Sequence, residues 1–256
     1  MNFLAQIGRS TLNFLALLGN MSLFFFKILK AFSPPFYTHQ FTNQILTIGY
    51  FSLPVVAMTS FFTGMVLALQ TYTGFVRFSA TEAVPTVVVL SIVRELGPVL
   101  GALMVCGRVS SSIAAELGTM RVTDQIDAMM MLQTNPFRYL IVPRIFAGIV
   151  TLPILILVGD IIGVLGGYLV SIFRLDFNPS LYIDLTYKYL GTMDVVSGLI
   201  KAAVFGLCLT LMGAYFGFTA SRGAYGVGKS TTKAVVYSSV LVLLTNYILT
   251  ALFFTG

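Results

Sequence analysis

The chain has 256 residues, 57% of them hydrophobic and only 9% charged, with a net charge of +6. Because a soluble globular domain has about 25% charged residues, this composition excludes an ordinary soluble protein and indicates an all-α integral membrane protein. The excess of Lys and Arg is typical of residues held on the cytoplasmic side of a membrane, and it does not indicate nucleic-acid binding.

The first predicted element is an amphipathic helix in residues 1–35 that lies in the cytoplasmic interface of the membrane. Apolar residues recur throughout its length, with Arg9, Lys27 and Lys30 spread among them. No small-residue cleavage site follows a compact apolar core, so the segment is not expected to be a cleavable signal. Ser33–Pro35 is expected to end the helix.

Five apolar runs follow, each long enough to cross the membrane as a helix. We place them at Ile45–Leu69, Thr86–Gly107, Ile145–Phe173, Val195–Ala220 and Lys233–Phe254. Pro54 in the first run and Pro98 in the second are expected to kink or locally unwind their helices. The sequence therefore predicts a single domain, residues 1–256, with a five-helix membrane region at 45–254.

The segments outside these runs alternate in their content of Lys and Arg. In chain order they hold 3, 1, 4, 2, 3 and 0 such residues. Because positively charged segments stay on the cytoplasmic side, the N-terminus is predicted to be cytoplasmic and the C-terminus periplasmic. The segment Arg108–Arg144, between the second and third runs, is then cytoplasmic.

This cytoplasmic segment is predicted to contain a short amphipathic helix. Thr123 is expected to cap the helix, with Asp124 in its first turn. Helical spacing then predicts one shared apolar face for Ile126, Met129 and Met130. Taken alone, such a helix could lie on lipid or dock a partner.

The ends of this short helix are suggested by residues that disfavour helices. Asn135 and Pro136 are expected to stop it. Gly118 is expected to break an earlier helical stretch, Ser110–Leu117. The segment 108–144 is therefore predicted to be a broken, mostly surface-bound connection between two spans.

Arg94 and Glu95 lie in the middle of the second run, where a charged side chain costs at least about 2.5–3.5 kcal/mol. Neighbouring helix positions point about 100° apart, so the two are poorly placed to pair with each other alone. Lys201 and Asp160 are candidate partners in other runs. Two interpretations stay open: a polar spot that meets an ionic head group, and a structural ion-pair lock between helices. For Lys201, snorkelling to the outer interface is a further alternative.

The sequence Gly223–Ser230 matches the phosphate-binding pattern G-x-x-x-x-G-K-[ST] in full. A true phosphate-binding loop connects a buried strand to a helix, whereas this one is flanked by two membrane-spanning runs. We therefore interpret it as a tight cytoplasmic turn, with Ser230 or Thr231 starting the last helix. Lys229 and Lys233 would anchor that turn on the cytoplasmic side.

Small residues at four-residue spacing suit close packing of membrane helices. Such pairs occur at Gly97/Gly101, Gly159/Gly163 and Gly213/Gly217. They are expected to pack helices within one subunit, with a dimer seam as the alternative.

Several motifs, in the same order along the chain, resemble the MlaE/YrbE family of ABC transporter permeases. They are Arg94–Pro98, Ala115–Met120, Gln125–Ala128, Asn135-Pro136 with Pro143-Arg144, and Gly226–Gly228 with Thr231–Val236. The resemblance covers nearly the whole chain and is strongest at residues 60–170, whereas the first forty residues carry little of it.

The resemblance implies a homodimeric permease in the bacterial inner membrane that moves phospholipids. Two copies of a separate cytoplasmic ATPase would dock on the segment 108–144, which would act as a coupling helix. Periplasmic MCE-domain proteins would sit on the other face, and a STAS-domain protein would bind the ATPase. The chain would then have no catalytic residues and no cofactor of its own, because the ATPase would bind ATP and Mg²⁺.

The resemblance also assigns residues to two sites. A lipid cavity would be lined by Arg94, Glu95 and Lys201. The ATPase-coupling region would include Glu116, Gly118, Thr119, Met120, Asp124, Ile126, Asp127 and Met130. The alternatives are a secondary transporter or channel that uses Arg94, Glu95 and Asp160 as an ion relay, a permease for a sterol or solvent, and a non-transporting scaffold.

Overall fold

The described part of the chain is almost entirely helical. The computed structural model describes residues 3–32 and 37–254, and no strand occurs within these ranges. The helices are α1 Phe3–Ala31, α2 Thr38–Ile48, α3 Leu53–Val76, α4 Val84–Ser91, α5 Gly97–Val122, α6 Gln125–Met131, α7 Val142–Phe173, α8 Pro179–Tyr189, α9 Thr192–Phe218 and α10 Ala224–Phe254.

Five helical units are long and apolar enough to cross a membrane, which confirms the predicted number and order of spans. They are Thr38–Val76, Thr81–Val122, Phe137–Phe173, Thr192–Phe218 and Ala224–Phe254. Two boundaries differ most from the prediction. The second span continues to Val122 instead of ending at Gly107, and the fifth begins at Ala224 instead of Lys233.

The predicted helix break at Gly118 is wrong, because Gly118 lies inside α5. A Cβ at this position would lie 3.4 Å from the Cβ of Ala220 and 3.3 Å from a methyl of Val227. Glycine costs a helix interior only about 1 kcal/mol, so its role here is close packing against α10 and the residues before it.

The start of α6 also differs from the prediction. Thr123 does not cap this helix, because its hydroxyl donates to the Thr119 carbonyl, 2.8 Å away in α5. The turn is made instead by Asp124, whose φ of 56° lies in the left-handed region that Asp tolerates better than most residues. Thr123 and Asp124 thus form the two-residue turn that joins α5 to α6.

The end of α6 comes earlier than Asn135 and Pro136, at Met131. Asn135 instead begins the third span, since its side-chain oxygen accepts a hydrogen bond from the Phe137 backbone at 3.0 Å. This is the geometry of a helix N-cap, which a single sequence does not readily distinguish from a stop signal.

The two prolines mark local irregularities, as predicted. Pro54 follows a short 3₁₀ segment, Tyr50–Ser52, and Pro98 follows a π-helical segment, Ile92–Leu96. Because proline lacks an N–H and its ring crowds the preceding turn, both helices depart from the α pattern just before it.

The three glycine pairs all pack helices within one chain, which confirms the expected role. Gly97 and Gly101 face the third span at Asp160 and Ile156. Gly159 and Gly163 face Val56 and Ser60 of the first span, and Gly213 and Gly217 face Ser110 and Ala114 of the second. The helix backbones approach closely wherever these glycines lie.

The N-terminal segment is a helix, as predicted, and it attaches to the bundle through its second half. Phe24, Ile28 and Ala31 are buried, and the Phe24 ring lies 5.4 Å from those of Phe137 and Tyr215. The opposite face exposes large apolar side chains, among them Leu12, Leu15, Leu23 and Phe26. The predicted stop at Ser33–Pro35 lies outside the described residues.

The sequence analysis missed α8, which connects the third and fourth spans. Asn178 caps it by accepting from the Ser180 backbone at 3.0 Å, and Pro179 occupies the first turn. Tyr182 is buried against Tyr168 and Phe177, and it fixes the helix against the end of α7. The Asn-Pro-Ser sequence was the available signal for this helix.

Candidate functional site

A polar cluster lies where the π-helical segment Ile92–Leu96 interrupts the second span. The backbone N–H of Gly97 bonds to the Ile92 carbonyl, and Pro98 has no N–H to offer the Arg94 carbonyl. Lys201 of α9 takes the place of that donor, with Nζ 2.9 Å from the Arg94 oxygen. The proline therefore opens an acceptor that a cation on the neighbouring span fills.

Lys201 and Glu95 form the centre of the cluster. Lys201 is fully buried, and its Nζ lies 2.6 Å from Glu95 Oε1 and 2.8 Å from the Thr250 hydroxyl. Thr250 donates to the same Glu95 oxygen at 2.8 Å, and Asn246 donates to the other at 3.0 Å. The pair joins the second, fourth and fifth spans, so the predicted partnership of Lys201 with this segment is confirmed. Lys201 does not snorkel to the interface.

Arg94 pairs with Asp194, a residue that the sequence analysis had counted only as a loop charge. Arg94 Nε lies 2.7 Å from Asp194 Oδ1, and the Arg94 side chain is 38% exposed whereas that of Asp194 is 7% exposed. The other Asp194 oxygen accepts from the Gly191 backbone at 2.9 Å, at the start of α9. The guanidinium carbon lies 4.8 Å from the centre of the Phe254 ring. Its two terminal nitrogens bond to no described residue.

Asp160 was a candidate partner for these charges, and that prediction is wrong. Asp160 forms none of the ion pairs in the described ranges, and its Oδ1 is buried without a hydrogen-bond partner there. Its Oδ1 lies against Gly97 of the second span. No ion pair or hydrogen bond between described residues links Asp160 to Arg94 or Glu95.

A second polar group lies at the opposite end of the bundle, where α5 ends. Glu116 lies 2.6 Å from Arg144, whose side chain is only 4% exposed. Arg144 also donates to the Leu140 carbonyl at 2.6 Å, close to the π-helical segment Phe137–Ile141 and Pro143. The second and third spans are thus tied together at this end by a nearly buried cation.

The short helix α6 lies beside this pair. Ile126 is fully buried, Met129 is half-buried, and Met130 is 49% exposed, so the predicted single face of all three is only partly right. Arg121 at the end of α5 lies 2.6 Å from Asp127 of α6. Met131 and Leu132 are 87% and 78% exposed, which leaves an apolar tip on this surface. Of the other residues assigned to this region, Gly118, Thr119 and Met120 lie in the last turns of α5, and Asp124 makes the turn.

Comparison with known families decides the classification. The family model described as permease MlaE matches residues 41–252, a range that contains both the membrane cluster and α6. The chain belongs to the MlaE permease family. It is accordingly a multi-pass membrane permease subunit, and its described spans fit that class.

Named relatives of this MlaE-family chain cover most of its length. A probable ABC transporter permease of Rickettsia bellii is 56% identical over 227 residues, which are 89% of this chain and 88% of the relative. The intermembrane phospholipid transport system permease MlaE of Haemophilus influenzae is 32% identical over 257 residues, 99% of this chain and 98% of the relative. The chloroplastic protein trigalactosyldiacylglycerol 1 of Arabidopsis thaliana is 36% identical over 214 residues, 84% of this chain and 61% of the relative.

The phosphate-loop pattern of this MlaE-family chain lies in a helix. Helix α10 begins at Ala224, directly after Gly223 with a φ of +87°, so Lys229 and Ser230 belong to the second turn. The expectation that Ser230 or Thr231 starts the helix is wrong, and of the pattern's residues only Gly223 lies in the turn before α10. A loop wrapped around a phosphate is not formed by this backbone.

Arg108 is a structural residue that the sequence analysis missed in this MlaE-family fold. The first span is interrupted at Gly49, and the last carbonyls of α2 need donors. Arg108 of α5 donates to the Thr47 carbonyl at 2.5 Å, the Ile48 carbonyl at 3.1 Å and the Ser52 hydroxyl at 2.7 Å. From the sequence, Arg108 had been counted only as one of the positive charges of the segment 108–144.

Proposed function

We propose that the chain is the membrane subunit of an ABC transporter that moves phospholipids between the inner membrane and periplasmic MCE-domain proteins. The family assignment supports a permease, and the name of the Haemophilus influenzae relative supports a phospholipid as the cargo. A separate ATPase supplies the energy, in keeping with the names of the relatives as ABC transporter permeases.

The observation that carries the proposal is Arg94. It is a partly exposed cation within a span, held by its Nε on Asp194, and its terminal nitrogens form no hydrogen bond with a described residue. A guanidinium with a free edge matches the phosphate of a phospholipid, because it can donate two parallel hydrogen bonds. The exposed apolar side chains of the neighbouring spans provide the surface that the acyl tails require.

The three residues assigned to the lipid cavity then divide into two roles. Arg94 contacts the phosphate. Lys201 is fully buried with three oxygen partners, so it positions Glu95 and the Arg94 backbone instead of touching lipid. Glu95 is 37% exposed and belongs mainly to this structural pair. Both earlier interpretations of the charges thus apply, each to a different residue.

The ATPase docks on the surface formed by α6 and the end of α5. Met131 and Leu132 offer an exposed apolar contact there, and the Arg121–Asp127 pair fixes α6 against α5. The Glu116–Arg144 pair then transmits movement to the third span. The alternation of Lys and Arg supports a cytoplasmic position for this surface and a periplasmic C-terminus.

We further propose that two copies of the chain assemble, each with its own ATPase, and that a STAS-domain protein binds the ATPase. Only 11% of an apolar 18-residue stretch of the fifth span is buried within one chain, compared with 56% of such a stretch in the fourth span. A second copy would cover such a face and would enclose the cluster around Arg94, since α10 carries Asn246, Thr250 and Phe254 of that cluster.

Copurification of the chain with a separate ATPase tests the proposed assembly, and Met131→Ser tests the docking surface. We expect Met131→Ser to lower the ATP turnover of the reconstituted complex several-fold, because it removes apolar contact area at the interface. Phe173→Ser is the matched control, since Phe173 is 82% exposed at the other end of the bundle. Equal ATP turnover in both variants and in the unaltered complex would show that α6 does not couple.

A further inference from the structure

Asp160 is a buried acidic residue for which the proposed transport mechanism has no role. It lies in the third span and is 8% exposed, and its Oδ1 is enclosed without a hydrogen-bond donor among the described residues. Gly97 leaves the space that this oxygen occupies, because a Cβ there would collide with it. An ionisable side chain at such a depth is retained only where it meets a proton, a cation or a cavity.

The cations of the membrane cluster pair with carboxylates other than Asp160. Arg94 pairs with Asp194, and Lys201 pairs with Glu95. The remaining ion pairs between described residues do not involve Asp160 either. A negative charge on its carboxyl group would find no compensating cation among the described residues, which is costly in an apolar environment.

Asp160 lines a cavity of about 270 Å³ between the third span and α8. The other lining residues are mainly apolar: Val89, Val93, Leu157, Ile161, Val164, Thr186, Tyr187, Leu190 and Val195. Leu190 and Val195 flank the start of α9, so the cavity lies near the end of the bundle at which that span begins. This is the predicted periplasmic side.

A second cavity of about 360 Å³ continues the first along α8. The two share Ile161, Val164, Thr186 and Tyr187, and the second extends to Leu165, Tyr168 and Ile183. Ile161 is 62% exposed and Tyr187 is 77% exposed, so both cavities open on the side of the bundle that faces the bilayer. The result is an apolar groove with one carboxylate at its inner end.

We propose that this groove binds a phospholipid whose head group carries a primary ammonium, with Asp160 accepting a hydrogen bond from it. Oδ1 of Asp160 is closed off against Gly97, so the ammonium meets Oδ2 and supplies both a positive charge and an N–H donor there. The apolar walls accommodate the first part of an acyl chain. A choline head group has the charge but no N–H, so it forms no such hydrogen bond. The site is separate from Arg94, and the bound lipid need not be the transported one.

Native mass spectrometry of the full chain released from lipid nanodiscs tests the proposal. The nanodiscs contain equal parts of phosphatidylethanolamine, phosphatidylcholine and phosphatidylglycerol with identical acyl chains. We expect the ethanolamine lipid to be retained over the choline lipid by about tenfold, equivalent to about 1.4 kcal/mol for one hydrogen bond to a charged group. Asp160→Asn keeps a neutral amide oxygen but loses the charge, so it should lower this ratio several-fold.

Asp184→Asn is the matched control, because Asp184 is an exposed carboxylate on α8 that does not line the groove. It should keep the full preference. Ile161→Trp narrows the opening while leaving Asp160 in place, and it should also lose the ethanolamine lipid; this variant serves if Asp160→Asn fails to fold. An unaltered chain without a preference, or an unchanged preference in Asp160→Asn, would overturn the proposal. If a chain that shows no preference for the ethanolamine lipid still transports phospholipid with its ATPase, the proposed function stands.

Discussion

At the scale of single residues, each charge in the membrane cluster is stabilised by a specific partner. Lys201 has an oxygen for each of its three protons, and Glu95 has donors on both oxygens. Such a pair contributes little compared with an apolar pair of equal size, but removing one member leaves the other uncompensated. The two charges therefore depend on each other for the stability of the fold.

Lys201→Met should lower the stability of the folded chain by about 3 kcal/mol, because Glu95 then remains without its cation. Thermal unfolding in detergent measures the loss, and Lys188→Met on the exposed surface of α8 is the control. The double variant Lys201→Met/Glu95→Gln should regain part of the stability. A double variant less stable than Lys201→Met would contradict the pairing.

Arg94→Ala should reduce lipid transport by more than tenfold, since it removes the donor proposed for the phosphate. This change also leaves the buried Asp194 without its cation, which lowers stability on its own. The double variant Arg94→Ala/Asp194→Asn separates the two effects, because no unpaired charge remains. It should fold normally and still fail to transport lipid, whereas recovered transport would assign Arg94 a purely structural role.

The sequence located the charges of this cluster but not all of their partners. Arg94, Glu95 and Lys201 were recognisable because charged residues are rare in apolar runs. Asp194 was missed because it lies at the very start of a span, where it resembles a loop residue. Which residue a buried charge meets depends on helix rotation and depth, and these come from packing that local sequence patterns do not contain.

At the scale of helices, glycines determine how closely the third and fourth spans approach. A Cβ on Gly206 would collide with the Gly148 carbonyl, and one on Gly148 would press against Thr210 and the Gly206 carbonyl. Gly228 lies in α10, where an added Cβ would meet nothing within 4 Å. Replacement by alanine should therefore have opposite effects at Gly206 and at Gly228.

Gly206→Ala should destabilise the chain by about 1–3 kcal/mol, because the backbones must move apart. Gly228→Ala should be neutral or stabilising by up to about 1 kcal/mol, since alanine favours the helix and meets no obstacle. Thermal unfolding of the two variants side by side measures the difference. Equal shifts in the same direction would mean that close packing at Gly206 does not limit the fold.

The five spans were predictable from apolar length alone, but several helix ends were not. Helix α5 continues through Arg108–Val122, a stretch too polar to be recognised as part of a span. The turn at Asp124 and the cap at Asn135 use residues that also occur in ordinary loops. Helix ends are decided by capping bonds and by neighbours such as Ala220 and Val227, which lie far away in sequence.

At the scale of the whole molecule, one helix links the two polar groups. Helix α5 begins beside Arg94 at Gly97 and ends beyond Glu116 at Val122. Its 26 residues extend about 39 Å at 1.5 Å per residue, which is enough to cross the bilayer core. If the proposed ATPase moves α6, that movement can reach the proposed lipid contact at Arg94 through one continuous helix.

The central claim is that a separate ATPase drives phospholipid movement through this permease. The most direct measurement is the transfer of a fluorescent phospholipid from proteoliposomes that contain the chain and its ATPase to a soluble MCE-domain partner. We predict that lipid transfer, measured in this direction or in reverse, depends on ATP and on the ATPase. It should be lost in Arg94→Ala/Asp194→Asn. Transfer that follows an ion gradient without the ATPase, or ATP hydrolysis that moves no lipid, would contradict the account.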